Sequence, residues 1–265
     1  MNPVSELFEK IDASIIKKVN LIESSYARYA ARAILACLFL TLGTAIAFGT
    51  AMKAEEVAPG SGKFLYAFMF SWSLVMILFM NAELGTSNML YMTVGVYRKK
   101  INIKKASKIL FTCILFNLIG GIFFGYLISL TGTFQNLPAD SFMFTSLADK
   151  LEKTTLQIFV EGIFANIVVN TAVLVSLRMK DDAGKVLAII FIIFIFAFLG
   201  HEHVIANFPA FSLGYFASNG AMATMTASNL IHNLVFALLG NYVGGGLVIG
   251  MTYAWLNNTS TDYVD

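Results

Sequence analysis

Three ionisable side chains, His201, Glu202 and His203, follow one another inside the apolar stretch FAFLGHEHVIANFPAF. A second carboxylate, Glu83, lies in the stretch NAELGTSN, inside another apolar zone. Placing one such group at the centre of a bilayer costs about 2.5–3.5 kcal/mol, so it is expected to be paired or functional. An imidazole with a pKa near 6.5 exchanges protons at physiological pH, so we predict proton chemistry at His203. For the two glutamates we favour a hydrogen-bonded network that ties irregular backbone together.

Other chemistry at these residues is disfavoured. His201 and His203 are two residues apart, and neither a helix nor a strand places such residues on one face. With no cysteine or third histidine at ligand spacing, we expect no metal site. The sequence has no G-x-S-x-G and no G-x-x-x-x-G-K motif. We therefore expect no cofactor and no enzyme.

The composition predicts an integral membrane protein. Of the 265 residues, 57% are hydrophobic and 13% are charged, and the mean hydropathy is +0.73. A soluble domain cannot bury that much apolar surface, so the bulk of the chain must lie in a lipid bilayer. The net charge of +2 is too small to indicate a nucleic-acid partner.

Six apolar zones predict six transmembrane helices, and two of the zones are too long for one straight span. A straight helix over the second or the fifth zone would extend about 46–51 Å, against a hydrocarbon core of about 30 Å. Gly85 interrupts the second zone, and Gly200 and Pro209 interrupt the fifth. Freed backbone is tolerated only in protein or beside a wet cavity, so helices two and five should break at a central site. The zones are 33–52, 64–97, 107–130, 155–177, 186–216 and 228–256.

The two halves of the chain repeat each other. Glu83 in zone two corresponds to Glu202 in zone five, 119 residues later. The segment NLIGG in zone three corresponds to NYVGG in zone six, 124 residues later. Because each half has three spans, equivalent helices run in opposite directions. The sequence thus predicts an all-α, 3+3 inverted repeat in which broken helices two and five are partners.

The basic residues predict the orientation and three regions. Fourteen Lys and Arg fall on the side of the N-terminus and four on the other side, so both termini should be cytoplasmic, in the cell membrane. Residues 1–32 form an amphipathic segment expected at the membrane interface. Residues 33–256 are expected to form a six-helix transmembrane domain, and residues 257–265 a short cytoplasmic tail. The apolar face of the first segment comprises Val4, Leu7, Phe8, Ile11, Ile15 and Val19.

Four motifs together resemble the formate/nitrite transporter family: GHEHVIAN, AELGTSN, GIFANIVVN and IHNLVFALLGNYVGGGLVIGMTYAW. The resemblance extends from about residue 30 to 256. It implies an aquaporin-like helical fold and a homopentamer with one pore in each protomer. It also implies small monovalent anions as substrates, such as formate, nitrite, lactate, acetate or hydrosulfide.

The resemblance implies roles for single residues. His203 resembles the central pore histidine, Glu202 its acidic neighbour and Thr86 the hydroxyl that contacts it. Lys150 resembles the lysine that draws anions into the outer vestibule. With Glu83 of the other break, the expected polar pathway is His203, Glu202, Thr86, Asn166, Asn207, Lys150, Glu83 and Asn233. The expected hydrophobic constrictions are Leu74, Leu84 and Phe196.

Four residues depart from the pattern of the family. Gly85 stands where a bulky Phe is expected, so one constriction is expected to be wider. His201 replaces an aromatic or small residue and could add a second proton site. Glu161 and Asn170 stand where apolar or small residues are expected.

These residues predict proton-coupled transport of a weak monovalent acid. Desolvation raises the pKa of the entering anion, and a proton from water or His203 then gives a neutral acid that passes the apolar constrictions. Glu202 and Thr86 are expected to orient the imidazole. The first alternative is an anion channel without proton coupling, in which a protonated His203 is a fixed positive site. A water channel is disfavoured because the paired N-P-A signature is absent, and a membrane enzyme because no nucleophile is identified.

Overall fold

The computed structural model describes residues 5–258, and all its regular elements in that range are helical. Val4 of the predicted apolar face and residues 259–265 of the predicted tail lie outside the described residues. The helices are α1 Glu6–Ser24, α2 Tyr26–Val57, α3 Gly62–Phe70, α4 Trp72–Phe79, α5 Gly85–Tyr97, α6 Ile103–Ser129, α7 Phe142–Leu151, α8 Thr155–Arg178, α9 Asp182–Leu199, α10 Val204–Ala217, α11 Ala227–Asn241 and α12 Thr252–Leu256. A π-helical segment, Tyr242–Met251, joins α11 to α12.

The predicted six spans are confirmed. Six helical segments among the described residues are long and apolar enough to cross a membrane. They are Tyr26–Val57, Gly62–Phe79, Ile103–Ser129, Thr155–Arg178, Asp182–Leu199 and Ala227–Leu256. The shorter half-helices α5 and α10 complete the second and fifth spans.

The predicted breaks in helices two and five are also present. Residues 80–84, here called the first break, separate α4 from α5, and residues 200–203, the second break, separate α9 from α10. Gly200 ends α9 with φ 73°, a left-handed conformation that glycine adopts readily. Pro209 was expected to contribute to the second break, but it lies inside α10. The left-handed glycine has already ended α9, and a proline there removes a single backbone donor.

The packing repeats between the two halves, as the predicted inverted repeat requires. In the first half α2 packs against α6, and in the second half α8 packs against α11. Each half also lends its second half-helix to the other, because α10 packs against α6 and α5 against the π-helical segment. The half-helices α5 and α10 therefore meet between the two halves.

Helix α1 differs from its prediction. It ends at Ser24, and α2 begins at Tyr26, so the helical boundary precedes residue 32. Its apolar face was expected at the membrane interface, but it is buried against α2, α5, α6 and α8 of the same chain. An ion pair between Asp12 and Arg98, 3.1 Å, attaches it further. Periodicity shows that one face is apolar, but it does not show what covers that face.

A further helix, α7, was not predicted. It lies in the connection between α6 and α8, preceded by a short 3-10 turn at Gly132–Phe134. Its residues Met143 and Leu147 are fully buried against the helix ends. Near its end is Lys150. The side of the protein that carries α7 is called the α7 face below, and the opposite side, which carries α1, the α1 face.

Candidate functional site

An asparagine on a neighbouring helix holds the first break. The side chain of Asn117 on α6 donates to the carbonyl oxygens of Ala33, 2.7 Å, and Glu83, 2.9 Å. Its oxygen accepts from the N–H of Gly85, 2.9 Å, at the start of α5. Backbone groups that a helix break frees inside a membrane protein must find such partners.

The second break has the same arrangement. The side chain of Asn241 donates to the carbonyl oxygens of Gly162, 2.8 Å, and Glu202, 2.9 Å. Its oxygen accepts from the N–H of Val204, 2.8 Å, at the start of α10. Asn117 and Asn241 are the first residues of the two segments matched in the sequence, so the repeat has a structural basis.

The imidazole of His203 is buried and hydrogen-bonded through both nitrogens. Nδ1 accepts from the N–H of Ala206, 3.1 Å, so His203 is the N-cap of α10. Nε2 lies 2.8 Å from Oγ1 of Thr86, the contact that the resemblance implied. Because Nδ1 is an acceptor, the neutral ring carries its proton on Nε2 and donates it to Thr86. Protonation of Nδ1 would require the cap of α10 to open.

Glu202 does not take the predicted part in orienting that ring. Among the described residues its carboxylate binds two lysines and two amides. Glu202 and His203 are successive residues, and the side chains of successive residues in extended backbone point to opposite sides. Lys153 Nζ lies 2.7 Å from Oε1, and Lys150 Nζ lies 3.0 Å from Oε2. Asn207 and Asn233 donate to Oε2 at 2.7 and 3.2 Å. The carboxylate is fully buried, which makes this charge pairing necessary.

Lys153 and Glu161 complete this cluster. Lys153 Nζ also donates to the carbonyl oxygen of Gly200, 2.7 Å, and to Glu161. The departure at Glu161 is thus explained, since its partner is a lysine that the sequence analysis missed. The burial of Lys150, only partly offset by Glu202, lowers the pKa of its ammonium. Burial also opposes the charge of Lys153, but Glu202 and Glu161 more than compensate, so the pKa of Lys153 lies above its usual value.

Glu83 has the corresponding environment at the first break. Its carboxylate accepts from Lys18 of α1, at 2.9 and 2.8 Å, and from Asn88, 2.9 Å. Asn88 follows Glu83 by five residues, just as Asn207 follows Glu202. That spacing is a signal that could have found Asn88, whereas nothing in the sequence linked Lys18 to Glu83. Burial lowers the pKa of the Lys18 ammonium, but Glu83 outweighs it, so the pKa lies above the usual value.

Asn166 and Asn170 form a buried polar group behind Thr86. Asn166 donates to the carbonyl oxygens of Asn241, 2.7 Å, and Thr86, 3.2 Å. Asn170, one turn later, donates to Oδ1 of Asn166, 2.9 Å. A Cβ at Gly245 would overlap both amides, so this glycine of the π-helical segment permits the close approach. The departure at Asn170 thus extends a network that supports Thr86.

Cavities approach the site from both faces. On the α7 face a vestibule of about 370 Å³ is lined by Lys63, Lys150, Lys153 and Glu161. A smaller inner cavity of about 40 Å³, lined by Lys150, Phe196, His201, His203 and Asn207, continues towards the centre. On the α1 face a cavity of about 180 Å³ ends at Leu84 and Glu83.

The inner cavity and the cavity on the α1 face share no lining residue, and an apolar side chain lines each of them, Phe196 the inner cavity and Leu84 the cavity on the α1 face. Leu74, Leu84 and Phe196, the predicted constriction residues, belong to one buried core. The ring of Phe196 lies 5.8 Å from that of His203. Gly85 provides no opening here, because a Cβ at this position would press on Ile114.

His201 lies beside the site. It lines the inner cavity, and its ring is tilted against Phe164 with 6.0 Å between the ring centres. Nδ1 is buried, with no hydrogen-bond partner among the described residues. The structure thus places His201 at the inner cavity without a bond to His203, and its predicted proton exchange stays a prediction.

Two half-helix pairs that meet at a buried polar centre, with cavities from both faces, define a membrane transport protein built as an inverted repeat. A sequence profile of the formate/nitrite transporter family matches residues 5–255. The chain is 29% identical over 253 residues to the uncharacterized transporter YwcJ of Bacillus subtilis. The matched region covers 96% of this chain and 98% of that protein. It is 32% identical over 234 residues to the formate-nitrite transporter of Plasmodium falciparum, with 83% and 75% covered.

Solved structures share the fold. An FNT family ion channel superposes with a TM-score of 0.87 at 24% identity, covering 94% of this chain and 98% of that one. A pentameric formate channel with formate bound gives a TM-score of 0.74 at 25% identity, with 89% and 98% covered. The chain belongs to the formate/nitrite transporter family. Since members of this family are transporters and channels, it is not an enzyme.

Proposed function

We propose that this protein moves a small monovalent weak-acid anion of the formate, nitrite or lactate class across the cell membrane together with a proton. The observation that carries the proposal is the position of His203, buried between an inner cavity with two nearby lysines and a separate cavity on the α1 face. Relatives named formate-nitrite transporter and a structural neighbour with formate bound support the substrate class.

The anion enters from the vestibule on the α7 face. Lys150 lines both the vestibule and the inner cavity, so its ammonium can attract the anion along the whole approach. As the anion leaves water, desolvation raises its pKa, and it takes up a proton that the water in the vestibule relays from the bulk solution. The product is a neutral acid, which does not pay the several kcal/mol that an unpaired charge would require among Leu74, Leu84 and Phe196.

His203 presents a hydrogen-bond donor to the passing acid. Its Nε2–H points to Thr86 at rest, and the Thr86 hydroxyl can rotate to donate or accept as the substrate passes. The bond from Ala206 to Nδ1 supports a neutral ring, because the imidazolium would lose the cap of α10. This arrangement favours proton coupling over a channel in which His203 is a fixed positive charge.

We further propose the arrangement in the membrane. The excess of Lys and Arg on the α1 face supports a cytoplasmic position for that face and for the transport domain's N- and C-terminal ends. By analogy with the pentameric neighbour, five copies assemble with one pore each. Native mass spectrometry of the detergent-solubilised protein would show the pentamer or another mass.

Proteoliposome uptake tests the function. Labelled formate, lactate and nitrite are supplied with and without an inward proton gradient, and the membrane potential is clamped. We expect electroneutral uptake that the gradient stimulates. Uptake that does not depend on the proton gradient and carries an electrical current would instead establish an anion channel without proton coupling.

A variant pair assigns the coupling to His203. His203→Phe should abolish gradient-driven uptake. His232→Phe is the matched control, because His232 lies on α11, where it contacts Thr155, and lines none of the cavities described above. Equal uptake by both variants would remove His203 from the mechanism.

A further inference from the structure

The two lysines that bind Glu202 are bonded to different extents. An ammonium group has three N–H donors and no acceptor. Lys153 Nζ has three acceptors: Glu202 Oε1, the carbonyl oxygen of Gly200 and Glu161. Lys150 Nζ has a single acceptor among the described residues, Glu202 Oε2, at 3.0 Å. Lys153 is therefore saturated, whereas Lys150 has two donors left.

The two lysines also differ in the space they face. Lys150 lines both the vestibule and the inner cavity that His203 lines. Lys153 lines only the vestibule, and its bond to Gly200 attaches it to the backbone of the second break. Lys150 is thus placed to follow an anion inward, and Lys153 is placed to stay.

Glu202 tolerates the departure of one lysine but not of both. If Lys150 turns towards an anion, the buried carboxylate keeps Lys153 on Oε1 and the amides of Asn207 and Asn233 on Oε2. A buried carboxylate left without any cation is strongly destabilising. Without Lys153, Lys150 would be the one remaining cation within reach of Glu202, and an anion would have to compete with that carboxylate for it.

We propose that Lys153, fixed by Glu161 and Gly200, is a positioning residue that neutralises Glu202 so that Lys150 is free to bind the transported anion. This inference rests on the proposed function, since it assigns a task at the same pathway. The raised pKa of Lys153 and the lowered pKa of Lys150 agree with it, because the saturated ammonium holds its proton more firmly. Lys153 has no N–H donor left for an anion, and it acts through Glu202 and Lys150.

Kinetics of labelled formate uptake test the inference. We expect Lys153→Met to raise KM about tenfold, the factor for about 1.4 kcal/mol of weakened anion binding, with a smaller change in kcat. Lys153→Arg should restore KM, because a guanidinium can also pair with Glu202. The double variant Lys153→Met/Glu202→Gln should also recover a lower KM, since the competing carboxylate is gone.

Lys63→Met is the matched control. Lys63 lines the same vestibule, but its ammonium lies over the ring of Phe198, 5.6 Å from the ring centre, and not on Glu202. An equal rise in KM for Lys63→Met and Lys153→Met would show that Lys153 contributes only its positive charge in the vestibule, and this result would overturn the inference. An unchanged KM in Lys153→Met would overturn it as well.

Thermal unfolding separates this inference from the proposed function. Lys153→Met should lower Tm more than Lys150→Met, because Lys153 bridges three groups and Lys150 only one. The opposite order would refute the positioning role whether or not formate is transported. Absence of formate, lactate and nitrite uptake by the unmodified protein would refute the proposed function. The order of the Tm values of Lys153→Met and Lys150→Met would still test the positioning role of Lys153.

Discussion

The two breaks use the same backbone support and different chemistry. Each has an asparagine that bonds two carbonyl oxygens and the first N–H of the following half-helix, Asn117 at the first break and Asn241 at the second. Each has a buried glutamate paired with a lysine and with an asparagine five residues later. The residue before the half-helix differs, because Leu84 precedes α5 and His203 precedes α10.

This difference shows where the two halves of the repeat diverge in chemistry. The support is common to both halves because freed backbone in a membrane needs hydrogen bonds wherever it occurs. Because leucine precedes α5 and histidine precedes α10, only one of these two half-helices begins with an imidazole as its N-cap. The partners of the glutamates differ too, since Lys18 comes from α1 while Lys150 and Lys153 come from the connection on the α7 face.

Removal of an asparagine should give the largest loss of stability. Asn241→Ala leaves two buried backbone groups, the carbonyl oxygen of Glu202 and the N–H of Val204, without partners, and at about 1–3 kcal/mol for each group we expect a loss of about 4 kcal/mol. Asn117→Ala should lose a similar amount if the two supports are equivalent. Denaturant unfolding of the purified protein measures both, and a difference of more than about twofold, the context dependence expected for such contacts, would show that the support is unequal.

Removal of Lys18 should come next. Lys18→Met leaves the carboxylate of Glu83 without its cation, which we expect to lower the free energy of unfolding by about 3 kcal/mol. The double variant Lys18→Met/Glu83→Gln should recover most of that loss. Hydrogen exchange of α1 should rise in the single variant, and unchanged exchange would show that this pair does not hold α1.

The direction of the pKa shift of Lys18 determines how the Lys18–Glu83 ion pair depends on pH. The pKa of Lys18 is raised in the folded protein, so its stabilisation is complete below the usual lysine pKa and is lost as the pH rises through the raised value. The hydrogen exchange of the α1 backbone amides, corrected for the intrinsic effect of pH, should therefore stay low at neutral pH and rise only in strongly alkaline buffer.

Substitutions of His203 and Leu84, the residues that precede the two half-helices, test the chemical difference between the breaks. His203→Leu should lower gradient-driven uptake about 100-fold, the factor for a loss of about 2.7 kcal/mol in solvation of the passing acid. The fold should persist, because a lost N-cap lowers stability by only about 1 kcal/mol. Addition of Leu84→His to this variant should not restore uptake, since Thr86 faces the second break. Restored uptake would make the two breaks interchangeable.

The smallest expected effect concerns the two faces at alkaline pH. Because the pKa of Lys150 is lowered and that of Lys18 is raised, Lys150 on the α7 face should lose its charge before Lys18 on the α1 face as the pH rises. The KM for formate entering from the α7 face should then rise at most about fivefold, since a partly exposed charge contributes about 1 kcal/mol or less. Uptake and efflux with pH varied on one side measure this, and Lys150→Met should lack the rise.

Much of the fold followed from particular residues. The matched pairs Glu83 and Glu202, and NLIGG and NYVGG, predicted the inverted repeat, because polar residues that are rare in apolar zones recur there at nearly the same offset. The contact of Thr86 with His203 was expected only from the family resemblance, since no local pattern links residues 117 positions apart. The helix α7 was missed because it lies in a connection without the length or hydropathy of a span.

The sequence by itself determined the membrane location, the six spans and the two breaks, because zone length is compared with a bilayer of known thickness and, at the second break, Gly200 ends α9 locally. The tertiary structure alone decided the partner of each buried charge. Lys18 reaches Glu83 from α1, and Lys153 reaches Glu202 from the connection between α7 and α8. Periodicity places a residue on a face of its helix, but only the packing of distant segments decides which group lies opposite that face.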